Sequence, residues 1–116
     1  MANRHKEEAI RTAVSEHLGF DTRDKQLYQV YDEEVYQRRL VHTFAMGDVD
    51  DPHVYVASPI YEWQQTEHGK WVMKHGRDPT YHIFADPISF GHKVAIYAHI
   101  TPRRWTEYVL RGWYQN

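Results

Sequence analysis

The chain has 116 residues, no cysteine, nine histidines and a net charge of −2 with histidine neutral. This length predicts one domain, residues 1–116, and the lack of cysteine excludes disulfides and thiolate metal sites. Fourteen basic and sixteen acidic residues give no strong field, so we expect no nucleic-acid partner. No apolar run approaches the roughly 18 residues of a membrane span, and the N-terminus is polar. We therefore expect a cytoplasmic protein without a signal peptide or membrane contact.

The first part of the chain predicts a helix and a hairpin. Apolar residues at spacings of three and four predict a helix over 4–18, with a narrow stripe that suits a peripheral position. Alternating side chains predict strands over 26–31 and 35–46, joined by a three-residue loop at 32–34. On strict alternation, one face of the second strand carries three of its larger side chains: Leu40, His42 and Phe44.

The best-marked element is a helix over 58–75. Ser58 can cap its N-terminus, Pro59 suits the first helical position, and Gly76 suits the stop. Gly69 in the middle costs about 1 kcal/mol relative to alanine, so we expect it to allow a close contact, with a strand as the candidate.

The segment before this helix is ambiguous. Residues 54–56 favour a strand, whereas Asp51 followed by Pro52 is typical of a helix start. No turn signal separates 52–57 from the main helix, and we therefore favour a helical segment that bends at Pro59.

The C-terminal part predicts a meander of three strands over 80–114. Strands are expected at 80–85, 92–100 and 105–113, and the turn at 101–104 could also start a helix. The fold class is therefore predicted as α+β. An antiparallel sheet of about five strands would carry the main helix across one face, with the N-terminal helix at the periphery.

Histidines offer one candidate site. His82 and His99 lie in strands that we expect to pair, where two imidazoles, with His42 as a further candidate, could hold a metal ion or a small ligand. His68 and His75 are seven residues apart on a helix, which is too far for the usual metal-binding pair, and they are interpreted as surface residues. We predict no bound cofactor and no assigned metal site.

A second candidate site follows His99. The run His99-Ile-Thr101 matches the H-x-T pattern of two-histidine phosphoesterases, but no second copy of the pattern is present. Arg103 and Arg104 form a basic pair that could bind a phosphate, although a solvated turn also explains them. The candidate binding residues of both sites are His82, His99, Thr101, Arg103 and Arg104.

Several short runs resemble small uncharacterised proteins of large T4-like tailed phages. They are Gly47-Asp-Val-Asp-Asp-Pro52, Glu62-Trp63, Gly69-Lys-Trp-Val-Met73, Asp78-Pro79-Thr-Tyr-His82 and Gly91-His-Lys-Val94. The resemblance covers about the second half of the chain. It implies a phage or phage-infected cell as the setting, and it implies no activity or site residues.

Three functions fit the sequence, and we rank an interaction module first. Aromatic residues make up 15% of the chain, and Tyr and Trp favour interfaces, so we expect a non-enzymatic accessory protein that forms a homo-oligomer or binds a protein partner. A small-ligand or metal-binding domain ranks second. A phosphoester hydrolase that uses His99, Thr101 and an arginine ranks third.

Overall fold

The computed structural model describes Gly19 and residues 27–114. The four strands of this part are β1, Tyr28–Tyr31; β2, Glu34–Gly47; β3, Arg77–Ala85; and β4, His92–Ile100. Its helices are α1, Pro52–Tyr55; α2, Ala57–Gln65; α3, Glu67–His75; and α4, Pro102–Leu110. In these ranges no helix has the length and apolar character needed to cross a membrane. The helix predicted over 4–18 lies outside the described residues.

The four strands of the described residues form one antiparallel sheet with the order β1-β2-β4-β3. The α+β class is therefore confirmed, but the sheet has four strands and not the predicted five. The strand predicted over 105–113 is missing, because residues 105–110 belong to α4. The side chain of Thr101 accepts a hydrogen bond from Arg104 N at 3.2 Å, and Pro102 occupies the first helical turn. These capping interactions favour helix over the alternation that predicted a strand.

The β1–β2 hairpin closes with two residues, not the predicted three. Asp32 and Glu33 have φ values of 50° and 66°, and Tyr31 pairs directly with Glu34. Two successive left-handed residues are typical of a type I′ turn, whose twist matches that of the flanking strands.

A bulge in β2 changes which side chains share a face. Leu40 pairs with Tyr97, whereas His42 pairs with Ile96, so Val41 is an extra residue on β2. Because Tyr97 and Ile96 point to opposite faces of β4, Leu40 and His42 do as well. The prediction that these two residues share a face is therefore wrong.

The helices pack on one face of the sheet, as predicted for the main helix. β4 contributes a row of buried residues to this interface: Val94, Ile96, Ala98 and Ile100. The helices contribute their own buried set: Val56, Ile60, Trp63, Trp71, Val72 and Tyr108. Burial of a side chain of this size is worth about 1.5–3 kcal/mol, so this layer supplies most of the apolar stabilisation.

The helical region begins at Pro52, which confirms the helical interpretation of 52–57. Its first break is at Val56, not at the predicted bend at Pro59. Val56 precedes α2 without a side-chain cap, and Ser58 lies inside α2. The prediction that Ser58 caps the main helix is therefore wrong.

The predicted single helix 58–75 is interrupted at Thr66. This residue has an extended conformation, with φ −73° and ψ 160°. Its hydroxyl donates to Trp63 O at 2.6 Å and accepts from Gly69 N at 3.0 Å. Thr66 therefore ends α2 and caps α3, and a threonine followed by an acidic residue is a known N-cap pattern.

Gly69 is required where Thr66 folds the chain back on itself. A Cβ atom at this position would lie 1.9 Å from Trp63 O and 2.8 Å from Gln64 Cα. The close contact is thus with the preceding helix and not with a strand.

α4 is held to α3 and β2 by a chain of hydrogen bonds through His68. Trp63 Nε1 donates to His68 Nδ1 at 3.3 Å, and His68 Nε2 lies 2.9 Å from Tyr108 Oη. Tyr108 donates its hydroxyl proton to Val41 O at 2.9 Å, so it accepts from His68 Nε2. This pattern requires a neutral imidazole protonated on Nε2.

His68 is therefore a packed residue and not the surface residue that was predicted. Its ring stacks on Trp113 with centroids 5.1 Å apart and meets His42 edge-on at 6.0 Å. Burial lowers the pKa of His68 to about 4, with a further contribution from His42, and burial also lowers the pKa of His42.

We predict that Gly69→Ala destabilises the protein, although alanine is the better helix former by about 1 kcal/mol. The added methyl cannot fit against Trp63 O, so we expect a net loss of about 1–3 kcal/mol. Urea denaturation measures the effect. Lys70→Ala, one residue along on the exposed side of α3, is the control and should change stability by less than about 0.5 kcal/mol. Equal effects of the two substitutions would contradict the close contact.

We also predict that His68 makes stability depend on pH. Its pKa is about 4 in the folded state and 6.5 in the unfolded state. The unfolded chain therefore binds more protons between these values, and the stability contributed by neutral His68 is complete above about pH 6.5 and lost as pH falls towards 4. The slope from His68 stays below about 1.4 kcal/mol per pH unit, because only one proton is bound or released.

The comparison of wild type with His68→Gln isolates this effect from that of the carboxylates. Glutamine can donate and accept as the imidazole does, but it does not titrate. Urea denaturation at about pH 7 and about pH 5 should show the smaller pH dependence in the variant. An unchanged pH dependence would exclude His68 as the source.

Candidate functional site

A cleft of about 390 Å³ lies at one end of the sheet, where α3 leads into β3 and β4 leads into α4. We call it the basic cleft, because four of its side chains carry a positive charge and one carries a negative charge. It is lined by Glu34, Tyr36, Lys74, His75, Gly76, Arg77, Thr101, Arg103 and Arg104.

Gly76 shapes one wall of the basic cleft. A Cβ atom here would lie 2.8 Å from Val72 O and 3.1 Å from Ala98 Cβ, so only glycine lets the chain leave α3 this close to β4. The direct passage from α3 into β3 brings Lys74 and Arg77, which lie three residues apart, to the same opening.

The N-terminus of α4 forms the opposite wall. Thr101 is buried, and its hydroxyl caps the nine-residue helix. Arg103 and Arg104 follow in the first turn, with 77% and 38% of their side chains exposed. The partial positive charge of a helix start adds to their charges and favours anions.

Carboxylates only partly neutralise the basic cleft. Three of its cations have an acidic neighbour: Arg77 with Asp32 at 2.8 Å, Arg103 with Glu34 at 3.9 Å, and Arg104 with Glu107 at 3.1 Å. Lys74 forms no ion pair with residues 27–114. Exposed pairs of this kind are worth about 0–1 kcal/mol, so a ligand can compete for the cations.

The pKa of His75 reflects the positive charge around the basic cleft. Its pKa is lowered by burial first and then by the positive charge of Arg104, while Glu107 opposes the shift and Lys74 and Arg111 add to it. His75 is therefore neutral at pH 7, and it would gain a proton more easily if an anion occupied the cleft.

The structure brings together three of the five predicted site residues, Thr101, Arg103 and Arg104. His82 and His99 do not line the basic cleft, although His99 lies two residues before Thr101. Only 1% of His99 is exposed, so it is a core residue on the sheet face away from the helices.

His82 lies on the same sheet face as His99 but is not opposite to it. His82 pairs with Ala95 and His99 pairs with Arg77, which separates the two histidines by four residues along β4, or about 13 Å. His82 Nε2 is 3.0 Å from the Arg38 guanidinium, which lies over the Tyr97 ring.

The proposed group of metal-binding histidines is not assembled in this structure. His42 stacks on Trp63 at 5.3 Å, on the helix-covered face, so the sheet separates it from His82 and His99. Over Gly19 and residues 27–114 there is no group of three histidine, cysteine or acidic side chains that could hold a metal ion.

Sequence reasoning missed half of the basic cleft. His75 was interpreted only as a surface residue of the helix, and Lys74 and Arg77 were assigned to no site. The available signal was that these cations lie at the start of one predicted strand, while Arg103 and Arg104 follow the end of the next. In an antiparallel pair, the start of one strand lies beside the end of the other. Glu34 and Tyr36 could be assigned to the cleft only once the register in which β2 pairs with its neighbours was known.

No protein-family model, no curated protein and no solved structure matches this chain. The basic cleft is therefore interpreted from its own geometry and charge.

We predict that the imidazole of His75 titrates below its usual pKa of 6.5 and that Arg104→Ala raises this value. Removal of the arginine takes away a repelling charge and leaves Glu107 as a stabilising one. NMR titration of the histidine side chains measures both values. Arg104→Lys, which keeps the charge, is the control, and an identical pKa in wild type and Arg104→Ala would contradict the electrostatic account.

Proposed function

We propose that this protein binds a small ligand with anionic oxygens, of the phosphoryl or carboxylate type, in the basic cleft. The observation that carries the proposal is the convergence of Lys74, Arg77, Arg103 and Arg104, from three elements, around one cavity with a single acidic lining residue. The role we propose is binding and not turnover.

The size and chemistry of the cleft support this ligand class. Its volume of about 390 Å³ falls within the range of about 300–1,000 Å³ typical of small-molecule sites. Guanidinium groups match the paired oxygens of carboxylates and phosphates, and the lysine supplies a mobile point charge. The arginines approach from both walls, so a ligand with two anionic groups could be held at both ends.

The position of His99 favours binding over hydrolysis. A phosphoesterase mechanism would need His99 within reach of the ligand, but this residue is buried and does not line the cleft. The Thr101 hydroxyl is already engaged as the cap of α4. Neither side chain is therefore placed to attack a ligand.

Calorimetric titration of the full chain with inorganic phosphate, sulfate and citrate tests the proposal. We expect weak binding of the simple anions, with a dissociation constant of about 1 mM, or about 4 kcal/mol. Lys74→Ala and Arg103→Ala should each weaken binding by about fivefold, because each removes one charge-assisted contact worth about 1 kcal/mol. The double variant should bind too weakly to detect.

Lys70→Ala is the matched control, since it removes a lysine from the same helix at a position that does not line the cleft. It should bind as wild type does. Sulfate should also raise the pKa of His75, which NMR can follow in the same samples. Absence of heat and of any change at His75 would overturn the proposal, as would an equal loss of affinity in Lys70→Ala.

A further inference from the structure

The two edges of the sheet differ in how they are protected. The outer strand β3 begins with Arg77-Asp78-Pro79, and its register shifts between Arg77 and Thr80. Charged residues, proline and irregularity all hinder the addition of another strand. The other outer strand, β1, reads Tyr-Gln-Val-Tyr and has none of these features.

The side chains of β1 are exposed as well as uncharged. Tyr28 is 58% exposed, and Val30 is 68% exposed. They point to the sheet face on which the helices pack, as does Val35, which pairs with Val30 and is 53% exposed. The helices of the described part do not cover this end of the sheet, and an apolar strip remains open along the edge.

The backbone of β1 also has peptide groups that point outward and that no strand of the described residues pairs with. Arg38 N donates to Leu27 O at 2.8 Å, which makes Leu27 and Arg38 a hydrogen-bonded pair. Such pairs alternate along an antiparallel ladder, so the peptide groups of Tyr28 and Val30 point away from β2. Among residues 27–114, β1 pairs only with β2.

We propose that β1 is a homodimer interface, at which two copies of the chain pair antiparallel across a twofold axis. The axis passes Gln29, so Tyr28 of each copy lies opposite Val30 of the other. This register joins the outward groups of Tyr28 and Val30 in four backbone hydrogen bonds, and the two four-stranded sheets become one sheet of eight strands.

The residues of β1 favour pairing with β1 of a second copy of the chain. The strand carries no charge, so twofold pairing brings no like charges together. Aromatic and β-branched residues also form favourable cross-strand pairs, and this register makes two Tyr–Val pairs on one face. A twofold interface closes on itself and stops at the dimer.

Sedimentation velocity of the full chain at about 10–500 µM tests this inference. We expect a reversible increase from monomer to dimer with concentration. Tyr28→Lys combined with Val30→Lys places lysine opposite lysine twice and should weaken dimerisation by at least about tenfold. Tyr28→Lys combined with Val30→Glu places lysine opposite glutamate twice and should restore much of the lost affinity.

The two double variants change the same exposed positions, so they control for effects on folding, and circular dichroism should show both to be folded. Phe84→Lys, at an exposed position on the opposite edge strand, should dimerise as wild type does. A wild-type chain that stays monomeric at every concentration overturns the inference. Equal dimerisation of the two double variants overturns the register, and with it the interface described here.

Discussion

The carbonyl oxygen of Trp63 is the acceptor on which the arrangement of the helices depends. It receives the Thr66 hydroxyl at 2.6 Å and the Thr66 amide at 3.0 Å, and Gly69 leaves room for the chain to fold over it. Without this break, α2 and α3 would continue as one rod. The change of direction lets α3 cover the sheet while its first turn brings His68 to Tyr108 and its last turn brings Lys74 to the basic cleft.

The same helix therefore links two chemically different environments. At its start, His68 is held neutral by a donor on one side and an acceptor on the other, in a cluster of aromatic rings. At its end, Lys74 and His75 face other cations across an opening. α4 lies beside both ends, since Tyr108 bonds to His68 and Arg104 lines the basic cleft together with Lys74 and His75.

Much of the fold could be predicted from local signals, and the errors have definite physical causes. Periodicity and turn residues correctly predicted strands β2 and β4 and the helical region that begins at Pro52. Segment 105–113 was predicted as a strand, although Tyr108 and Val109 follow Trp105 at the helical spacings of three and four residues. The cap at Thr101 also favours the helix, and it lies outside the segment that was interpreted as a strand.

The candidate site was only half predictable for a different reason. Arg103 and Arg104 are neighbours in the sequence and are visible as a pair. Lys74 and Arg77 join them through the pairing of β3 with β4, which no local pattern reveals. Likewise, His42 was a further candidate for the site of His82 and His99, and a single extra residue in β2 places it on the other face of the sheet.

That extra residue also explains how α4 is attached. Because Val41 has no partner of its own on β4, its deletion would leave the partners of Leu40 and His42 unchanged. The deletion would remove a buried side chain and the carbonyl that accepts the Tyr108 hydroxyl. A shortened β2 would thus still form its ladder, but the C-terminal helix would lose its anchor on the sheet.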